Sequence, residues 1–121
     1  MPADGLADAR RFRERFSELV APLFARHDIL LAPATPCVAP PVGAGTIEID
    51  GRPVSARANL GLYTQPLSLA GVPVMSVPLE RGDHLPLGLQ LVAAPGRETT
   101  LFAFARRLEQ HGFTSAIHTA C

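Results

Sequence analysis

Residues 64–92 read TQPLSLAGVPVMSVPLERGDHLPLGLQLV, and the rest of the chain can be understood from this stretch. Two apolar runs flank a charged loop, Glu80–His84. Apolar runs bounded by proline, glycine and charge are typical of buried strands, so we predict an antiparallel strand pair here. Side chains alternate between the two faces of a strand, and neither face of this pair is polar enough to face water. A sheet that is apolar on both faces needs cover on both of them.

Two amphipathic helices are predicted to provide that cover. Asp8–His27 carries an apolar stripe at the spacing of one helical face, made of Phe12, Phe16, Leu19, Val20, Leu23 and Phe24. Pro22 interrupts this segment, so we predict a bend near residue 20. The second helix, Glu98–His111, is expected to end at Gly112. Because two helices can shield roughly one face of the sheet, we expect the other face to be short of cover.

Shorter elements lie between the first helix and the strand pair. Asp28–Ala32 predicts a strand that leads into a stiff loop, Pro33–Cys37, since its prolines favour extended backbone. Thr46–Val54 predicts a hairpin, because its Asp-Gly dipeptide favours the tight turn that right-twisted strands need. A short helix is expected to follow, with Ser55 as its N-cap. We therefore predict an α/β chain of strands flanked by helices.

The composition describes one globular domain at most. The chain has 121 residues, of which 47% are hydrophobic and 18% are charged. Eleven basic and eleven acidic side chains give a formal net charge of zero, which argues against nucleic acid or an anionic membrane as a partner. All of the basic residues are arginine, so no lysine is available for catalysis.

The cytoplasm is the predicted location. The N-terminus has no basic-then-apolar leader, and the two cysteines, Cys37 and Cys121, do not suggest a disulfide framework. Residues 58–79 carry no formal charge and are long enough to span a bilayer. Their three prolines and several polar side chains would leave backbone groups unsatisfied in lipid, so we predict a buried segment and not a membrane span.

No complete catalytic or metal-binding set can be read from the residues. The four histidines are scattered without paired cysteines or carboxylates, so we expect no metal and no cofactor. Ser76, Asp83 and His84 have the chemical types of a catalytic triad, but Asp83 and His84 are adjacent on a turn and Ser76 lies within a strand. No histidine, lysine or helix start flanks Cys37 to activate its thiol, so we predict that it only packs.

Several blocks of the chain resemble the C-terminal third of amidase signature enzymes. These are DILLAP at 28–33, LAGVP at 69–73 and LPLGLQ at 85–90, in matching order and spacing. The likeness extends from about Arg10 to Gly112. APATPC at 32–37 and RANLGLYTQP at 57–66 are similar to the branch of carboxybiuret hydrolase-like amidohydrolases.

The resemblance implies a mixed sheet with helices on both sides and hydrolysis of a small amide by a Ser–cis-Ser–Lys triad. In that chemistry the lysine acts through the bridging serine to activate the nucleophile, and backbone N–H groups stabilise the oxyanion. The family carries these groups in its N-terminal part, which has no counterpart here. Gly61 stands where the amidotransferase members of the family carry an acid that holds an amino-bearing substrate, which argues against a glutamine-like substrate.

Two hypotheses follow. In the first, residues 1–121 are a C-terminal fragment of a single amidase signature domain, incomplete and inactive alone, whose small amide substrate binds only to the full-length enzyme. In the second, the chain is a non-enzymatic α/β module that pairs with another chain through its exposed sheet face. The partners left open are a second copy of the chain and a missing N-terminal part.

Three uncharged polar residues are predicted to line a substrate site, namely Thr35, Asn59 and Gln65. Thr35 lies in the loop after the first strand, where α/β proteins often place binding groups. Asn59 and Gln65 are amides in an apolar region. Because buried amides need hydrogen-bond partners, each of these two either braces the backbone or points into a pocket.

Overall fold

The structure is a computed structural model that describes residues 3–114, with side chains from residue 5; Cys121 lies outside this range. Its elements in chain order are α1 (Ala3–Val20), a 3₁₀ turn (Ala21–Ala25), β1 (Leu30–Pro33), β2 (Thr46–Ile49), β3 (Arg52–Ser55), α2 (Ala56–Asn59), α3 (Thr64–Ala70), β4 (Val74–Leu79), β5 (Leu87–Val92) and α4 (Glu98–Gln110). Among these described residues, no helix is long and apolar enough to cross a membrane.

The predicted strand pair is confirmed as the centre of the main sheet. This sheet has three antiparallel strands in the order β1-β5-β4, so β5 is flanked on both sides. Val74 lies opposite Val92 at one end of the β4–β5 pair, and Leu79 lies opposite Leu87 at the other. The fold combines helices with antiparallel strands, as the α/β prediction required.

The first part of the 64–92 stretch is a helix and not a strand, so the prediction was wrong there. Pro66 lies in the first turn of α3, where a missing N–H costs no helical hydrogen bond. Gly71 ends the helix in the left-handed region at φ 71°, which a residue with a Cβ adopts only under strain. The chain then becomes extended and enters β4.

The first helix changes from α to 3₁₀ geometry at the position where the bend was predicted. The α-helix ends at Val20, and Pro22 falls in the first turn of the 3₁₀ segment that follows. Proline is tolerated at such a position because the first turn of a helix has free N–H groups in any case. Ser17 Oγ donates to the carbonyl of Ala70 at 3.3 Å, which fastens α1 to the end of α3.

The hairpin and the short helix after it both form as predicted. β2 and β3 pair in antiparallel register, and both turn residues have positive φ, Asp50 at 51° and Gly51 at 72°. This is the twist-matched turn that Asp-Gly favours. Ser55 precedes α2, but its side chain makes no capping hydrogen bond. Ser55 is therefore the N-cap residue of α2 by position, as predicted, without a side-chain bond, and α2 is a single short turn.

The core lies between one face of the sheet and α4. Leu91 and Val77 belong to the sheet side of this core, and Leu101 is the buried residue of α4. Half-buried apolar side chains from both layers pack around them, namely Ile29, Met75, Leu89, Phe104, Ala105 and Leu108. The amphipathic character predicted for the last helix is confirmed, and its apolar side covers this face of the sheet.

The other face of the sheet is covered only in part. Val92 and Gln90 on β5 are buried, whereas Val74, Ser76 and Pro78 on the neighbouring β4 are exposed. In the described part of the chain, no strand pairs with the outer edge of β4. The expected shortage of cover is thus seen at β4.

Half of the apolar stripe of α1 also faces outward. Val20 is buried, but Phe12, Leu19 and Leu23 are exposed, to 61%, 67% and 43%. Leu23 lies in the 3₁₀ turn that continues α1, and we call these three residues together the α1 stripe. The exposed Phe12 ring stacks on the half-buried Phe16, with ring centroids 6.2 Å apart.

Candidate functional site

The candidate site lies on the partly covered face, where two connecting segments meet over β5. One is the loop that follows Pro33, the last residue of β1, and comprises residues 34–38; the other is the turn between α2 and α3, residues 60–63. Both segments are held by Gln90, whose side chain is 2% exposed. Its Nε2 donates to the carbonyl of Pro33 at 2.7 Å and to that of Tyr63 at 3.2 Å. The two segments that carry the predicted site residues therefore meet at one amide.

The loop after β1 rests directly on the sheet at Gly88. The backbone N–H of Ala34 donates to the carbonyl of Gly88 at 2.8 Å. A Cβ placed on Gly88 would lie only 2.6 Å from the Cβ of Ala34 and 3.5 Å from the Oγ of Ser76. Only glycine allows Ala34 to come this close, so Gly88 determines the distance between the start of the loop and β5.

Thr35 lies in this loop and is half-buried. Its Oγ1 donates to the carbonyl of Cys37 at 2.7 Å, a local bond of the type by which threonine stabilises turns. The hydroxyl hydrogen is therefore used within the loop, while the oxygen keeps acceptor capacity. The role of Thr35 in substrate binding stays a prediction.

Asn59 and Gln65 lie at the two sides of the second segment. Asn59 Nδ2 donates to the carbonyl of Ser55 at 2.9 Å, so this amide braces the backbone one turn earlier. Gln65 is exposed, and its Nε2 lies 2.9 Å from the position of a Cβ on Gly61, so its side chain lies over that glycine. Gln65 is thus free to meet a ligand, whereas Asn59 is engaged; whether either contacts substrate stays a prediction.

Gln90 was not among the residues predicted for the site. The signal for it was a single amide within the otherwise apolar run LPLGLQLV. A buried amide needs partners, and its partners here are 57 and 27 residues away in sequence. Spacing along the chain cannot reveal such contacts.

The described residues hold no assembled catalytic or metal-binding set. No hydrogen bond joins Ser76 to His84 or Asp83 in the part of the chain that the structure describes. The same part has no group of three histidine, cysteine or acidic side chains that could hold a metal ion. Ser76 instead lines a shallow depression of about 270 Å³ with Pro78, Pro86 and Gly88. Among the described residues, the site has side chains and backbone groups that could surround a ligand, but no nucleophile that is hydrogen-bonded to a general base.

Comparison with known proteins gives one consistent result. The family model described as Amidase matches residues 3–102. The chain is 42% identical over 106 residues to AtzE, a 1-carboxybiuret hydrolase component from Pseudomonas sp. (strain ADP), and the match covers 86% of this chain and 23% of that protein. It is 38% identical over 88 residues to the A component of the glutamyl-tRNA(Gln) amidotransferase of Geobacillus stearothermophilus, over 73% of this chain and 17% of that protein.

Solved structures agree with these sequence relatives. One is described as an unexpected vestigial protein complex that reveals the evolutionary origins of an s-triazine catabolic enzyme; it matches with a TM-score of 0.87 and 39% identity. The match covers 94% of this chain and 25% of that one. A crystal structure of amidase matches with a TM-score of 0.80 and 30% identity, over 92% of this chain and 26% of that one. The chain thus spans about a quarter of the structures that it matches.

Proposed function

The chain belongs to the amidase signature family, and we propose that it is the C-terminal segment of a single amidase signature domain whose complete form hydrolyses the C–N bond of a small amide. One observation carries the proposal: 94% of this chain superposes on a structure of which it covers only 25%. The exposed side of β4 and the α1 stripe support it, because apolar surface of this kind is normally covered by further protein.

The segment would shape the site and leave the reactive groups to the remaining part of the domain. The chain contains no lysine, whereas the triad implied by the family resemblance needs one to activate its nucleophilic serine. We infer that the triad lies on the remaining part and that this chain is inactive alone. The cytoplasm remains the predicted location of the complete enzyme.

A carboxybiuret- or allophanate-like amide is the proposed substrate. Support comes from the 42% identity to a 1-carboxybiuret hydrolase component. Gly61 adds to this, because it replaces the acid that the resemblance associates with amino-bearing substrates. Thr35 and Gln65 are the proposed contacts, and Asn59 joins them only if it exchanges its bond to Ser55 for one to the ligand.

Fragment complementation tests the proposal. The chain is co-expressed with a version of AtzE from which the matching segment has been deleted, and loss of 1-carboxybiuret is followed with the purified mixture. We expect turnover from the pair and none from either part alone, because the triad and the site walls would lie on different chains. Robust amide hydrolysis by the 121-residue chain alone, surviving replacement of every serine, would contradict the proposal.

A non-enzymatic α/β module is the second candidate. The observation in its favour is the exposed row on β4 formed by Val74, Ser76 and Pro78, beside an edge that no described strand occupies. Such a module would pair with another chain through this face. A stable complex between the chain and the truncated AtzE that shows no turnover would favour this function over the first.

A further inference from the structure

We propose that Gln90 is a positioning residue that locks the loop after β1 and the turn before α3 together, so that Thr35 and Gln65 keep a fixed relative position in the substrate site. The inference rests on the proposed function for the existence of that site. The locking itself is a property of this chain and can be tested without any substrate.

Glutamine suits this position because its side-chain amide can donate two hydrogen bonds. The amide nitrogen carries two hydrogens, and the structure directs them at two different carbonyls, those of Pro33 and Tyr63. Leucine and methionine of similar size have no donor, and an ionised glutamate has acceptors only. Each of these replacements would remove both part-buried hydrogen bonds to the carbonyls, which disfavours the present position of both segments.

The backbone beneath Gln90 is held from both sides. Gln90 lies opposite Ala32 in β1 and opposite Ser76 in β4, at the middle of the central strand. Because both flanking strands hold the backbone of Gln90, its side-chain amide cannot shift to follow a movement of the loop. The sheet therefore determines the positions of the loop and the turn, through the two hydrogen bonds of this amide.

Gly88 and Gln90 act on the same face of β5, two residues apart. Gly88 lets the Ala34 backbone approach, since a Cβ there would meet that of Ala34 at 2.6 Å. Gln90 then ties the preceding carbonyl, that of Pro33, to Tyr63. Gly88 thus determines how closely the loop approaches β5, and Gln90 determines where the loop lies relative to the turn before α3.

Hydrogen exchange on the 121-residue chain tests the lock. The variant Gln90→Met keeps the length of the side chain and removes both donors, and Ser76→Ala is the matched control on the opposing strand. We expect amide exchange in residues 34–38 and 60–65 to accelerate by about tenfold or more in Gln90→Met, as local opening becomes easier. Exchange in α4 should be unchanged, and Ser76→Ala should match the unaltered chain.

Two outcomes would overturn the inference. Equal acceleration in all segments, α4 included, would mean that Gln90 only stabilises the whole fold; unchanged exchange would mean that it holds nothing. If Gln90→Met does not fold, Gln90→Glu replaces it, because it keeps the shape and loses the donors when ionised. Failure of both variants to fold would also assign Gln90 to the fold as a whole.

Complementation with truncated AtzE separates this inference from the proposed function. If the unaltered pair turns over 1-carboxybiuret, the pair with Gln90→Met should show a KM raised by about tenfold with a smaller change in kcat, because a displaced wall weakens binding. Unchanged KM would reject the positioning role and leave the proposed function standing. An inactive unaltered pair would reject the proposed function and leave the exchange result valid.

Discussion

Gly88 is the residue at which the loop after β1 comes closest to the sheet, so a single methyl group there tests the packing. In Gly88→Ala the new Cβ would lie 2.6 Å from that of Ala34, a separation that atoms do not tolerate. We expect the free energy of unfolding to fall by about 1–3 kcal/mol, the usual cost of overpacking. Urea denaturation followed by circular dichroism measures it.

Gly45→Ala is the matched control for this substitution. Gly45 has no atom within 4 Å of its would-be Cβ and no positive φ, so its stability should change by less than about 1 kcal/mol. The double variant Gly88→Ala with Ala34→Gly should regain part of the loss, because it removes the other methyl. Equal effects of the two single variants would contradict the close approach.

At the scale of single residues, the sequence revealed local contacts better than distant ones. Asn59 was singled out as an amide that either braces the backbone or points into a pocket, and it finds a backbone partner four residues away. Gln90 has the same need, but it reaches Pro33 and Tyr63 across the fold. Polarity within an apolar run marks the residue, while only the packed chain identifies its partners.

The end of α4 is an element whose geometry allows a sharp test. Gly112 has φ 72°, and Phe113 N donates to the carbonyl of Leu108 at 2.9 Å, the bond of a Schellman motif. Gly112→Ala should lower the free energy of unfolding by about 1–2 kcal/mol, since a Cβ is strained at this φ. Thermal unfolding measures the change.

Gly5 offers the opposite result with the same substitution. It lies within α1 without positive φ, and a Cβ there meets nothing within 4 Å. Gly5→Ala should therefore raise the stability by about 0.5–1 kcal/mol through helix propensity. If both variants moved stability in the same direction, the assigned helix end would be wrong.

Secondary structure followed the sequence wherever one signal dominated. The Asp-Gly turn, the strand pair and the break at Pro22 each had such a signal, and each is present. Residues 64–70 did not: a short apolar run with one proline fits a strand or a first helical turn equally well. The left-handed Gly71 and the contact with Ser17 of α1 decide for the helix.

At the scale of the whole molecule, the sequence predicted that some apolar surface would be left uncovered, but it could not predict what binds to that surface. Counting two good helices against two apolar sheet faces already indicated missing cover. The structure places the deficit at β4 and along the α1 stripe. The sequence alone does not identify a partner for these surfaces, so both a second copy of the chain and a missing N-terminal part stayed open.

The α1 stripe is the surface on which that question can be decided. In the combined variant Phe12→Gln with Leu19→Gln, two side chains that are 61% and 67% exposed become polar in a good helix former. Because exposed positions contribute little to the fold, the free energy of unfolding should change by less than about 1 kcal/mol. Binding to truncated AtzE should weaken by at least about tenfold if the stripe is buried in the complete domain, because two apolar side chains lose their contacts. Sedimentation velocity of the chain, alone and with truncated AtzE, measures this.

Val20→Ala is the control, since Val20 lies on the same helix and is only 8% exposed. It should lower the free energy of unfolding by about 1–3 kcal/mol through the cavity that it leaves, while binding through the stripe persists in the folded fraction. If the chain self-associates and the double polar variant abolishes that association without affecting binding to truncated AtzE, the stripe joins two copies. If the double variant lowers the free energy of unfolding as much as Val20→Ala does, the stripe belongs to the core and the missing cover must be sought at β4 alone.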